Sequence, residues 1–227
     1  MSLILSIESS GNICSVALQN ADKLIAVKQS NEANIHARLL AVFVKQILEE
    51  NNKQISDLSA LAVSGGPGSY TGLRIGVSLA KGICCAATIP LISVNTLQSI
   101  ALGTKENLNN LTENSLFMPM IDARRMEVYT QMFDINLNSI SQTKPLIIDN
   151  CFFENLDSTK QYFAAGNGTS KIDKYTAPSF FKIIDNIEFS SVNVAKLAYN
   201  KFLINDFENL EDYEPVYLKE FAEIIKR

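Results

Sequence analysis

Apolar residues occur in short runs broken by small and polar residues, and the spacing of the breaks predicts alternating strands and helices. Leu3–Ile7 is a β-rich run that ends at an acid, Glu8, and Ser9, Ser10, Gly11 and Asn12 form a turn. Cys14–Leu18 alternates as a second strand and Lys23–Gln29 supplies a third, which predicts an N-terminal β-meander. Asn34–Asn51 has helical spacing, with Asn31 or Asn34 as its cap. Its apolar residues Ile35, Leu39, Leu40, Val42, Phe43, Val44, Ile47 and Leu48 sweep roughly 240° of a helical wheel. A helix packed on one core needs a stripe of about 100° or somewhat more. The surplus is met either by burial inside a three-layer fold or by a partner subunit.

The centre of the chain is Ser64–Ala87. Ala60–Val63 reads as a strand buried on both faces. Gly65, Gly66, Pro67 and Gly68 break it, and Ser69 or Thr71 caps the helix that follows. Gly72, Gly76, Ala80 and Ala87 are small residues along that helix. Helical glycine costs about 1 kcal/mol against alanine, so its use here predicts close approach of another backbone or a ligand. Pro90–Val94 is a further buried strand, Asn95–Leu102 begins a helix, and the polar Thr104–Asn114 reads as a junction. The opening then recurs: Leu116–Ile121 is an apolar strand ending at Asp122, and Ala123–Met126 turns into a strand over Glu127–Phe133. Beyond it, Phe163–Gly168 reads as a strand and glycine turn, Val192–Asn205 as a helix and Glu214–Leu218 as extended. Strand, acid, turn, strand at both half-starts suggests a duplicated architecture.

Composition narrows the classes. The chain has 227 residues, 47% hydrophobic and 19% charged, with a net charge of −4. No run of Lys or Arg exceeds two residues (Arg124 and Arg125, for example), which argues against strong nucleic-acid binding by this chain alone. Four cysteines, Cys14, Cys84, Cys85 and Cys151, form no Cys-x-x-Cys pair, and His36 is the single histidine. A structural zinc site is therefore not expected, and buried reduced thiols in a cytoplasmic protein are the simplest account. No apolar run approaches the 18 residues of a membrane span, and the N-terminus reads as a strand and not as a signal peptide.

Candidate chemistry is sparse. The glycine turn with Gly66 and Gly68 opens a helix, where free N–H groups and the helix dipole favour an anion, but Leu73 after Gly72 breaks the P-loop pattern. Glu8, Ser9 and Ser10 either face a nucleotide phosphate or cap their own turn. Asp122 with Gly166 and Gly168 is the matching set in the second half.

GPGSYTGLRIG at Gly66–Gly76 resembles the signature of the TsaB family, also called YeaZ. So do ILSIESS with CSVAL at the start, HARLL at His36–Leu40, PLISVNTL at Pro90–Leu97, IDARRMEVY at Ile121–Tyr129, AAGNG, and EPVYLKE near the end. The resemblance implies an α/β fold of the ASKHA class (actin, sugar kinase, Hsp70-like). Two duplicated domains with mixed sheets flanked by helices would occupy residues 1–103 and 104–227. It also implies a non-catalytic role in making N6-threonylcarbamoyladenosine (t6A) at adenosine 37 of tRNAs reading ANN codons. The catalytic paralogue TsaD would be the partner, TsaE, an ATPase, would join through that complex, a homodimer would form when the chain is alone, and tRNA would be touched only indirectly.

Thr96 and Ile100 stand where TsaD carries its two metal-binding histidines, so the resemblance implies no metal here. It implies no cofactor on this chain, with ATP or ADP bound only in the complex. Glu8 replaces the Asp of many ASKHA proteins, Tyr70 replaces the usual Phe, and the first hairpin tip is short. The expected partner contacts are His36, Leu39, Leu40, Phe43, Val44, Ile47, Tyr70, Thr71, Leu73, Arg74, Val77 and Ser78. The alternative is an independent ASKHA-type enzyme, a metallopeptidase or kinase, disfavoured because metal ligands and full phosphate loops are missing.

Overall fold

The computed structural model describes residues 2–32, 35–172, 175–187 and 189–218. The first half builds β1 (Leu3–Glu8), β2 (Cys14–Asn20), β3 (Lys23–Ser30), α1 (His36–Glu50), β4 (Ala60–Gly66), α2 (Tyr70–Ala87), β5 (Leu91–Asn95) and α3 (Thr96–Glu106). The second half builds β6 (Ser115–Asp122), β7 (Glu127–Thr130), β8 (Lys144–Ile147), β9 (Gln161–Ala165), β10 (Phe181–Ile183) and α4 (Ser191–Leu203).

The strands form two five-stranded sheets, β3-β2-β1-β4-β5 and β10-β9-β6-β7-β8. Their wiring is the same. Each opens on a central strand, turns back through two antiparallel neighbours, and adds two parallel strands on the other side. The repeat suspected from Glu8 and Asp122 is thus a repeat of topology. The helix after each sheet's last strand then crosses to the other sheet: α3 packs on β6 and β9, while α4 packs on β1, β2, β4 and β5.

Strands β1, β2 and β4 of the first sheet are buried on both faces, while the edge strand β3 is open to solvent. Leu3, Leu5 and Ile7 of β1, with Leu61 and Val63 of β4, join the core under α1 and α2. Ile4, Ala60 and Ala62 face Val194 and Ala198 of α4. Small side chains on that second face let α4 sit close to the strands.

Some boundaries differ from expectation. Asn34 lies outside the described residues; the cap of α1 is Ile35, which makes no side-chain capping bond. Ser69 caps α2, its hydroxyl accepting from the Gly72 N–H. α3 runs to Glu106, into the expected junction, because buried Thr104 donates to the Ile100 carbonyl and continues the helix. β7 ends at Thr130, since Phe133 pairs with Phe117 instead. β8 and β10, four and three residues long, carried too little pattern to be predicted.

Candidate functional site

α1 and α2 lie side by side on one face of the first sheet, and their apolar surplus divides in three. Leu40, Val44, Ile47 and Leu48 point down into the core, as do Leu73 and Val77 from α2. Leu39 and Phe43 lean half-buried against that core. The remainder borders a groove of about 410 Å³ lined by Ala41, Val44, Lys45, Leu48, Glu49, Lys53, Ile55, Leu79 and Ile83. Its floor is apolar and its charges stand at the rim.

Of the expected partner contacts, Leu40, Ile47, Leu73 and Val77 are core positions, because both helices turn those faces to the sheet, and Val44 is buried where it lines the groove. Thr71, Arg74 and Ser78 are exposed, and His36, Leu39, Phe43 and Tyr70 are half-buried. Ala41, Lys45, Ile55, Leu79 and Ile83 line the groove and were not among the expected contacts. The i, i+4 pair Leu79 and Ile83 was the available signal.

A C-terminal strap flanks α2. The Glu208 N–H donates to the Leu91 carbonyl and the Val216 N–H to the Gly65 carbonyl. Lys81 donates to the carbonyls of Glu211 and Tyr213, and the Tyr213 hydroxyl meets Ser93 Oγ at 2.7 Å. The Tyr217 and Tyr70 ring centres lie 4.8 Å apart with their planes tilted by 46°, and the Arg74 guanidinium lies 4.2 Å from the Tyr70 ring centre. Tyr70 and Arg74 are therefore engaged within the chain.

The set around Glu8 is closed. Of the expected nucleotide-facing residues, Glu8, Ser9 and Ser10 are 0%, 0% and 1% exposed, so none is open to solvent. Glu8 Oε1 accepts from the Ser10 N–H at 2.6 Å, Ser10 Oγ at 2.5 Å and Ser64 Oγ at 2.9 Å, the geometry of a turn cap. Burial pushes the Glu8 carboxyl above the usual range, against the opposing pull of those hydrogen bonds. The glycines explain the closure. A methyl at Gly68 would strike the Ser10 backbone, and at Gly72 the Ser9 carbonyl oxygen. At Gly66, with φ of +107°, it would meet the Val216 carbonyl. The close approach predicted for these glycines is filled by the chain's own backbone.

In the second half Asp122 is open. Its Oδ1 accepts from Lys171 Nζ and from the Arg124 N–H, both at 2.6 Å, while its own N–H donates to Asn167 Oδ1 at 2.9 Å. Burial raises the Asp122 carboxyl, but the Lys171 bond, the Arg124 N–H and their charges outweigh it and hold it below the usual value. Gly166 and Gly168 pack on the Met120–Ile121 backbone. Among the described residues, then, the eight expected nucleotide-facing positions form two separate groups, one at the buried Glu8 turn and one at the open Asp122 turn.

Comparison with known proteins places this geometry. The family profile described as TsaD, tRNA N6-adenosine threonylcarbamoyltransferase, matches residues 29–220. The chain belongs to the TsaD-like proteins, in their TsaB (YeaZ) family. A tRNA threonylcarbamoyladenosine biosynthesis protein TsaB from Buchnera aphidicola subsp. Baizongia pistaciae is 27% identical over 96% of this chain and 98% of its own. The TsaB of Escherichia coli is 35% identical over 60% of this chain and 57% of its own. The structure of YeaZ from Pseudomonas aeruginosa superposes with a TM-score of 0.83 at 23% identity, covering 96% of this chain and 100% of that one. The paired mixed sheets flanked by helices are the ASKHA fold. In this TsaB-family chain Thr96 and Ile100 are 0% and 1% exposed. Ile100 belongs to the core beneath α3. With one histidine in the whole sequence, an imidazole pair cannot be assembled.

Proposed function

We propose that this chain acts in the biosynthesis of N6-threonylcarbamoyladenosine in tRNA as a non-catalytic subunit. It supports a TsaD-type catalytic paralogue in modifying adenosine 37 of tRNAs reading ANN codons. Family membership supports the pathway. One structural observation carries the partner role: the apolar groove between α1 and α2 is left open by every described element of the chain. The paralogue seats on this face, and a second copy takes its place when the paralogue is absent. Burial of Glu8, Ser9 and Ser10 supports a chain that holds no nucleotide alone, with ATP or ADP bound in the complex. TsaE joins through that complex, tRNA contact is indirect, and the work is done in the cytoplasm. No helix among the described residues is long and apolar enough to cross a membrane.

The test is light scattering of the purified chain, alone and mixed with the paralogue, with threonylcarbamoyl transfer to tRNA assayed in the same fractions. Ala41→Glu places a charge at an exposed groove position. The expected result is loss of the complex and of transfer, with unchanged circular dichroism. Association of Ala41→Glu equal to that of the natural chain would overturn this surface. ATP turnover by the chain alone, abolished in Glu8→Gln, would favour the independent enzyme.

A further inference from the structure

The turn cap explains one oxygen of Glu8 and leaves the other. Glu8 Oε2 is fully buried with no hydrogen-bond partner among the described residues, and so are the hydroxyls of Ser6 and Ser191. The register places them together. Glu8 lies opposite Ser15, and Ser15 Oγ accepts from the Ser191 N–H at 3.0 Å. Ser6 is two residues back on the same face of β1. The carboxyl therefore sits where the first turn of α4, arriving from the second half of the chain, docks on the first sheet.

The β1–β2 loop is held shut over this crevice from both sides. On the α2 side the Ser69 N–H donates to the Ser10 carbonyl at 2.7 Å. On the α4 side a methyl at Gly11 would run into the Phe189 ring. Among the described residues no cation compensates. The sheet face around Glu8 carries Ser6 from β1, Ser15 and Ala17 from β2, and Ala62 and Ser64 from β4. The first turn of α4 brings Ser191, Val192 and Asn193. The charged groups of α4 are engaged elsewhere, Lys196 with Glu106 and Lys201 with Asp206. On α2, Lys81 holds the strap and Arg74 the tyrosines. β2's Cys14 belongs to the core on the opposite face. Glu188 lies outside the described residues. A lone carboxylate in such a place is costly, and its neutral form much less so.

We propose that Glu8 is a proton-operated latch: with its carboxyl neutral, the β1–β2 loop and the first turn of α4 close over it, and ionisation loosens both. Because burial raises the native carboxyl above its unfolded value, the native state binds more protons than the unfolded state between the two. Closure is therefore strongest below the unfolded value and weakens as pH rises through the native one. Glutamine keeps an oxygen for Ser10 and Ser64 and cannot ionise, so Glu8→Gln stays closed.

The test is a titration of the 13C-labelled glutamate carboxyls by NMR on the full chain, with Glu8 assigned by its absence in Glu8→Gln. It is paired with amide exchange corrected for intrinsic rates at Ser10, Gly11 and Ser191. The expected result is a Glu8 resonance that moves at higher pH than the other glutamates, with protection at the three amides falling across the same interval in the natural chain only. A Glu8 carboxyl that titrates with the bulk would overturn the latch, as would equal loss of protection in Glu8→Gln. Should the variant fold poorly, Glu8 is assigned by side-chain-to-backbone correlations in the natural chain, so the carboxyl titration still decides.

Discussion

Three glycines on α2 give a graded test of how tightly the helix is seated on the β1–β2 loop. Replacing a helical glycine with alanine gains about 1 kcal/mol of helix propensity where nothing stands in the way. Gly82 is that case, with nothing within 4 Å of an added methyl, so Gly82→Ala is expected to stabilise by about that amount. At Gly76 the methyl meets Ser9 Oγ, which has no hydrogen bond to lose and can rotate, so Gly76→Ala is expected near neutral. At Gly72 it meets the Ser9 carbonyl oxygen, part of a backbone pinned by Glu8 and Ser64. Overpacking against an element that cannot move costs about 1–3 kcal/mol. After the propensity gain, Gly72→Ala is expected to lose up to about 2 kcal/mol. The order Gly82→Ala, Gly76→Ala, Gly72→Ala is read by urea unfolding. With a slope of about 2 kcal/mol per M, the spread of up to about 3 kcal/mol between the extremes is up to about 1.5 M in midpoint. A Gly72→Ala protein as stable as Gly82→Ala would show that α2 does not bear on Ser9, and the account of the closed loop would fail with it.

Other consequences are independent. Leu40→Glu and Val77→Glu bury a charge in the core and are expected to abolish folding, seen as loss of the far-ultraviolet helix signal; a folded, monomeric Leu40→Glu would return that position to the interface. Asp122→Asn removes the carboxylate from a nearly buried Lys171 and is expected to cost about 1–3 kcal/mol in urea unfolding. Because the Asp122 carboxyl is lowered in the native state, its stabilisation is present at neutral pH and fades as pH falls through its unfolded and then its native value; Asp122→Asn should flatten that part of the stability profile. Tyr217→Ala is expected to release the strap, read as faster cleavage near residue 216 by limited proteolysis, since it removes the ring contacts with Tyr70 and Arg74. Of the four thiols, Cys85 and Cys151 are exposed and should react at once with a thiol reagent. Cys14 and Cys84, pushed by burial up to about 11 and about 12, should react only on unfolding.

The first half was legible because its elements are long and its turns are marked by residue type. The meander, the glycine turn and the helix after it stand where the apolar runs and the Gly65–Gly68 break predict them. The second half was less so. β8 has exposed positions and a proline at an edge, β10 has three residues, and their pairing comes from partners distant in sequence. The site was harder for a different reason. Helical spacing reveals that α1 is apolar over a wide arc, but not which part the sheet takes. Leu40 and Ala41 are neighbours in sequence, yet one is core and the other borders the groove. The expectation of all thiols buried failed similarly, since Cys84 and Cys85 are adjacent on α2 and face opposite ways.

The two halves also show how one local device diverges. Each central strand ends in an acid whose carboxylate accepts the N–H two residues on, Ser10 for Glu8 and Arg124 for Asp122. That shared bond shapes the turn and demands only an oxygen. The second partner sets the charge state. In the first half it is the Ser64 hydroxyl, in a crevice covered by α4, so burial prevails and the carboxyl is raised. In the second it is the Lys171 ammonium, which also donates to the Glu127 carbonyl across the turn, so the carboxyl is lowered and stays open to solvent. α4 covers the first sheet, and among the described residues β9 is followed by a single 3-10 turn, Thr169–Lys171, where β4 is followed by the long helix α2. The difference between the acids thus follows from where the helices went. The half with α1 and α2 packed on its sheet closes its turn, and the half whose own helix covers the other sheet leaves its turn exposed.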